Sequence, residues 1–180
     1  MNKSIIIFIS VLLVFIVGIS GCINFNNGNN TSTVKNYSGY NVSFNYPQNW
    51  HLTTFVDKSG ENHMIIVTEN ASSFNPTLFE VQSISNNGMF EQDAINEMQN
   101  STMDGATKIS NDTITLDGET AYENIFLVNN THETDMKVNH IYFEKNGITY
   151  AITLQAREIY YDGEKSNFDI FLKSFKVMNN

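Results

Sequence analysis

From Gly39 the chain alternates: Val42, Phe44 and Tyr46 are apolar while Asn41, Ser43 and Asn45 are polar, the period of two that gives a short strand one apolar face. Pro47-Gln48-Asn49 then turns the chain into Trp50 and Leu52. Runs over His63–Thr68 and Leu78–Ser85 are rich in β-branched and apolar residues and predict two further strands, with Asn75-Pro76 punctuating the gap between them. After these the period changes. Phe90, Ala94, Ile95 and Met98 fall at i, i+4, i+5 and i+8, so an amphipathic helix is expected over 89–103, with Glu91 and Asp93 in its first turn and Gly105 just beyond it.

Four more strand-like runs follow, at Thr107–Leu116, Thr120–Val128, Met136–Lys145 and Ile148–Gln155. Asp117-Gly118 joins the first two and Asn146-Gly147 the last two, and such dipeptides suit the φ > 0 positions of tight hairpins. In the last run Ile148, Tyr150, Ile152 and Leu154 face one way and Thr149, Ala151, Thr153 and Gln155 the other. The expectation is an antiparallel meander with one face buried. Past Asp162-Gly163, the residues Phe168, Phe171, Leu172 and Phe175 fall at i, i+3, i+4 and i+7, predicting a helix over Glu164–Phe175 that lays an aromatic face on the sheet. The fold class is therefore α+β: a mostly antiparallel sheet with a mid-chain and a C-terminal helix.

The N-terminus has a different pattern. Lys3 precedes an apolar run from Ile5 to Ile19, and Ser20-Gly21-Cys22 ends it, the order of a secretory signal. As a helix the run would span about 22 Å, short of the roughly 30 Å hydrocarbon core, so a permanent membrane span is the weaker reading. Ile19-Ser20-Gly21-Cys22 resembles the lipobox of prokaryotic lipoproteins, which implies lipidation at Cys22. Residues 22–36 are Asn-rich and without period and read as a flexible linker, reaching about 20–23 Å. The division is thus 1–21 signal peptide, 22–36 lipid-anchored linker and 37–180 folded domain, held at the cell membrane and facing the extracytoplasmic side.

Composition narrows the function. At 41% hydrophobic and 12% aromatic, the chain has material for a sizeable core, which argues against general disorder. The net charge is −9, and the leader removes only Lys3, so 9 basic against 19 acidic residues leave −10 on the remainder. Such a surface is a poor match for nucleic acid, and none is expected as partner. Cys22 is the only cysteine, which rules out intramolecular disulfides and a thiol nucleophile within the domain.

The segment Tyr40-Asn41-Val42-Ser43-Phe44-Asn45-Tyr46-Pro47-Gln48-Asn49-Trp50 resembles the opening strand, Tyr-Pro turn and tryptophan of the PsbP superfamily. Asn146-Gly147-Ile148-Thr149-Tyr150-Ala151-Ile152-Thr153 and Phe171-Leu172-Lys173-Ser174-Phe175 resemble that family's last hairpin and terminal helix. The resemblance implies a PsbP-like α/β/α sandwich and a habit of non-catalytic binding, since relatives act mostly as assembly factors or docking modules. It implies no photosystem role, and no binding residue of the photosynthetic protein matches a position here.

Catalytic motifs are missing: there is no Gly-x-Ser-x-Gly elbow and no phosphate-binding glycine loop. No cofactor is expected, and the alternative is a divalent cation. His132, Glu133, Asp135 and His140 fall within nine residues, but on a strand Asp135 and His140 would face opposite sides. His51 and His63 stand alone and read as hydrogen-bonded histidines. Trp50 and Tyr46 are expected to close the end of the core, because their alternation matches Val42 and Phe44; the alternative is an exposed aromatic binding patch of Trp50, Tyr46 and Tyr40. Tyr160 and Tyr161, beside the Asp162-Gly163 turn, are the candidates for a partner-facing loop. Asn29, Asn36, Asn41, Asn70, Asn100, Asn111 and Asn129 begin Asn-x-Ser/Thr triplets and are candidate glycosylation sites. The functional expectation is a lipid-anchored surface protein that binds a protein or envelope partner without catalysis; the alternative is a solute- or cation-binding surface protein.

Overall fold

Positive φ at both central residues marks three two-residue hairpin turns: Tyr40 and Asn41 (48° and 60°), Asp117 and Gly118 (50° and 84°), and Asn146 and Gly147 (55° and 72°). That geometry matches the twist of the strands it joins, so these dipeptides set the registers on either side. The structure, a computed structural model, describes residues 33–58, 60, 62–69, 76–85, 106–129 and 135–178. The elements are β1 (Val34–Gly39), β2 (Val42–Pro47), β3 (His51–Val56), β4 (His63–Thr68), β5 (Leu78–Ser85), β6 (Ala106–Leu116), β7 (Glu119–Val128), β8 (Met136–Lys145), β9 (Ile148–Arg157), α1 (Glu158–Ser174) and β10 (Lys176–Val177). The helix expected over 89–103 lies outside the described residues.

Every pairing is antiparallel. A seven-stranded sheet runs β3-β4-β5-β9-β8-β7-β6, and a three-stranded sheet runs β1-β2-β10. Aromatic rings fill the space between them and α1. Phe44 of β2 meets Phe171 of α1 edge-on at 4.8 Å and Phe79 of β5 at 5.8 Å, and Phe79 stacks on Phe171 at 4.4 Å and on Trp50 at 5.4 Å. Trp50 and Tyr46 are both buried, as expected of residues closing the core. From β9, Tyr150, Ile152 and Leu154 join the same core, as their alternation predicts.

Two expectations need correction. The meander is not buried on one face only: Met136, Val138 and His140 are buried as well as Ile141 and Phe143, which alternate with them on β8. The C-terminal helix begins at Glu158 rather than Glu164, so Tyr160, Tyr161 and the Asp162-Gly163 pair lie within it. Gly163 costs a helix about 1 kcal/mol, but Tyr161 is buried against Phe168 (5.5 Å) and extends the apolar stripe by two turns, which outweighs the loss. The Glu158 amide also donates to the Asp135 carbonyl at 2.8 Å and ties the helix start to the entry of β8. At the other end the Asn45 amide donates to Ser174 Oγ at 2.8 Å.

One ionic clasp closes the far end. Asp117, in the β6–β7 turn, accepts from Lys145 Nζ at 2.9 Å, from the Val177 amide at 2.8 Å and from Lys176 Nζ at 2.9 Å. Its side chain is only 8% exposed. Burial alone would raise its pKa, but the Lys145, Val177 and Lys176 donors overcome that and hold it at about 2. A carboxylate depressed below its ordinary value stabilises the fold above the unfolded pKa, and that contribution disappears as pH falls from about 4 to about 2. From the size of the depression, about 2 kcal/mol is at stake. Asp117→Asn, which tolerates the same positive φ, is expected to lower unfolding free energy by about that amount at pH 7 and to flatten the acid limb below pH 4, read by urea denaturation across pH. Equal acid limbs in the two proteins would refute the clasp.

Candidate functional site

Registers across β3, β4 and β5 place two rows of side chains next to each other at one end of the larger sheet. Phe55, Met64 and Gln82 form one row, and Val56, His63 and Ser83 the next. Together with Asp57 and Asn62 they line a shallow cleft of about 230 Å³. Tyr40, from the β1–β2 turn, stacks on the His63 ring at 4.3 Å and roofs one side. Val56 is 45% exposed and Tyr40 38%, both on the His63 side of the sheet, while Phe55, 41% exposed, stands in the neighbouring row beside Met64 and faces the other way. Such a patch on a rim of polar groups is the composition of a contact surface.

The polar groups are held in place. Asp57 Oδ1 accepts from the Gly60 amide at 2.8 Å and Oδ2 from Asn62 Nδ2 at 2.7 Å, which fixes the β3–β4 loop. Gln82 donates to Glu80, whose carboxyl is pushed up by burial and partly restored by that bond. Ser83 Oγ lies 3.5 Å from His63 Nδ1. That separation is at the outer limit of a hydrogen bond, and one face of the imidazole is already covered by Tyr40.

Residues singled out by sequence are scattered. His140 is buried, with Nδ1 3.1 Å from the Tyr142 hydroxyl and its ring edge-on to Phe126 at 5.7 Å. Asp135 lies at the entry to β8 and uses its carbonyl on Glu158. Among the described residues no group of three or more His, Cys, Asp or Glu side chains could hold a metal. His132, Glu133 and Cys22 lie outside the described residues, as do Asn29, Asn70 and Asn100. Asn36, Asn111 and Asn129 are exposed and Asn41 is half-buried in its turn. The two tyrosines divide: Tyr160 is 55% exposed on the helix, whereas Tyr161 is buried under Lys137, whose Nζ sits 4.7 Å from the ring centre. Tyr161 is therefore not a partner-facing residue, because consecutive helical positions point about 100° apart. The rim residues Phe55 and Val56 were not among the expected site residues. Their signal is adjacency, since neighbours on a strand face opposite sides and one of two apolar residues at a strand end must meet solvent.

A family model described as PsbP-like protein matches residues 5–177 of the chain. Among solved structures, the cyanobacterial PsbP of Synechocystis is 17% identical, with 87% of this chain and 99% of that one covered and a TM-score of 0.55. LpqN of Mycobacterium tuberculosis is 11% identical, with 82% and 90% covered and a TM-score of 0.53. A protein from Bacteroides thetaiotaomicron is 13% identical over 78% of this chain and 46% of its own, also with a TM-score of 0.53. At these identities the likeness is one of fold. No curated protein matches. No helix among the described residues is long and apolar enough to cross a membrane.

Burial gives His140 a structural signature that can be measured. It lowers the imidazole pKa from 6.5 to about 4, so the folded protein refuses a proton that the unfolded chain accepts. Stability is then fully present above about pH 6.5 and falls as pH drops from there to about 4, by up to about 3 kcal/mol. His140→Gln is expected to flatten that interval in pH-dependent urea denaturation while leaving the steeper loss below pH 4. An unchanged slope between pH 6.5 and 4 would show that His140 titrates normally.

Proposed function

The chain belongs to the PsbP-like family, and from that premise we propose that it is a membrane-anchored extracytoplasmic lipoprotein whose PsbP-like domain docks without catalysis on a protein or envelope partner. The observation that carries the docking is the exposed pair of Tyr40 and Val56 beside His63 at the end of the larger sheet. Aromatic and aliphatic anchors clustered with satisfied polar groups are what a contact surface needs, and no reactive constellation competes for the same place among the described residues. Cys22 carries the anchor, and the Asn-rich linker behind it lets the domain stand off the headgroups by about 20 Å. Fold likeness to LpqN, a protein involved in cell envelope biogenesis, supports the envelope side of the reading. The cation-binding reading has less support, because His140 is turned to Tyr142 and Phe126.

The test is crosslinking in intact cells, immunoprecipitation through a C-terminal tag, and mass spectrometry of everything recovered, the N-terminal peptide included. A reproducible membrane or envelope protein is expected, together with an N-terminal peptide that begins at a lipidated Cys22. Anchors of this kind are worth about 2 kcal/mol each, so Tyr40→Asn with Val56→Ser should cut recovery of that partner by about tenfold or more. Recovery of no other protein, or of the same partner in equal yield with the double variant, would refute docking through the rim.

A further inference from the structure

Open sheet edges invite pairing with another chain, and folded proteins ordinarily guard them with lysines, prolines or bulges. Among the described residues three strands of useful length lie at edges: β1, β3 and β6. β6 has a register shift between Lys108 and Ser110 with Ile109 thrown out, and Lys108 lies on the strand beside it. β1 carries Lys35 and keeps it over the Tyr46 ring at 5.8 Å. β3, reading His51-Leu52-Thr53-Thr54-Phe55-Val56, has no lysine, no proline and an unbroken register with β4. Its side chains at His51, Thr53, Phe55 and Val56 are exposed.

Which backbone groups face outward follows from the hairpin. The Asp57 amide donates to the Asn62 carbonyl at 3.1 Å, so by the alternation of an antiparallel ladder the odd-numbered residues bond to β4. Leu52, Thr54 and Val56 therefore turn their amides and carbonyls to the open edge. We propose that this edge pairs antiparallel with the β3 of a second copy, in the register centred on Thr54, so that the two seven-stranded sheets join into one. A two-fold axis normal to the sheet keeps each face continuous, which requires that even residues meet even ones and odd meet odd.

In that register the strand is complementary to itself. Leu52 lies opposite the second copy's Val56, Thr54 opposite Thr54, Thr53 opposite Phe55, and His51 opposite Asp57: an apolar pair, a hydroxyl pair, a methyl-on-ring pair and an imidazole facing a carboxylate. About six backbone hydrogen bonds form across the two-fold. Centring on Thr53 instead would set Val56 against Trp50, which is only 2% exposed and belongs to the core. Tethering by Cys22 would hold copies in one plane and raise their local concentration. The inference does not depend on docking through the rim, because it concerns the backbone edge and a second copy of the same chain.

Two variants of the full chain that each add one cysteine to Cys22, Thr54→Cys and Thr53→Cys, test it in cell membranes under mild oxidation. Residues directly opposite in a hydrogen-bonded antiparallel pair sit about 5.5 Å apart at Cα, within disulfide reach, whereas the two copies of residue 53 are offset diagonally by about 7 Å or more. The readout is a disulfide-linked peptide pair containing residue 54, identified by mass so that Cys22 cannot be mistaken for it. The 54–54 pair is expected, the 53–53 pair is not, and adding Val56→Lys to Thr54→Cys should abolish the link with no change in melting temperature. Absence of the 54–54 peptide, equal linkage at 53, survival of the link in the Val56→Lys protein, or linkage of residue 54 to a different protein would each overturn the proposal.

Discussion

Phe44, Phe171 and Phe79 come from three elements far apart in sequence, and their contact is the constraint on which the other packing depends. Among the described residues the smaller sheet has three strands, one of them two residues long, too little for independent stability. What holds β2 over the larger sheet is Phe44, edge-on to Phe171 and to Phe79, with Tyr37 at 5.1 Å and Phe175 at 6.4 Å completing its ring. Each such pair adds about 0.5–1.5 kcal/mol beyond area burial, and several share one side chain. Removal of Phe44 would leave a cavity bounded by both sheets and the helix, a loss of about 3–5 kcal/mol. Trp50 lies against Phe79 within the same stack, so the aromatic-Pro-x-x-Trp opening is a packing motif before it is anything else.

The ionic clasp does a different job. A chain with 10 basic and 19 acidic residues has few cations to spare, yet Lys145 and Lys176 are both directed at Asp117. The three residues belong to the β6–β7 turn, the end of β8 and the strand after the helix. Lys145 also donates to the Asp117 carbonyl at 2.6 Å, so the turn is gripped by backbone as well as side chain. Aromatic packing fixes which faces meet; the clasp fixes where the last strand stops against β2, through the Val177 amide.

Most strands could be read from the sequence because they carry their own information. β4, β5 and β8 have the bounds that alternation and composition predict, and the Asp117-Gly118 and Asn146-Gly147 turns have the φ values their residues favour. β1, β3 and β10 were not predicted, since Val34–Gly39 is polar, His51–Val56 mixes exposed and half-buried positions, and Lys176–Val177 is too short to show a period. The helix start was misplaced for a related reason: Asp162-Gly163 is a turn signal locally, and only burial of Tyr161 against Phe168 overrides it. The site was harder still. His63 and Ser83 are twenty residues apart and become neighbours only through the β4–β5 register, which no pattern within either strand encodes.

Rim and edge lie at the same end of the larger sheet for a physical reason. β3 is an outer strand, so its side chains have a neighbour on one flank only, and its last two residues, paired with Met64 and His63, lie at the end of the sheet beside the Asp57–Asn62 loop. Phe55 and Val56 sit where strand geometry sends consecutive side chains to opposite faces and the sheet no longer extends far enough to cover either. A soluble domain under selection for solubility alone would place a lysine or threonine there, as it has on β1 and β6. Tyr40 points the same way, because a tyrosine at positive φ costs conformational energy that asparagine or glycine would avoid. Its ring instead lies on His63, where it extends the apolar border of the cleft across to the smaller sheet. Local strain and exposed apolar surface therefore coincide at one place, beside the His63 ring.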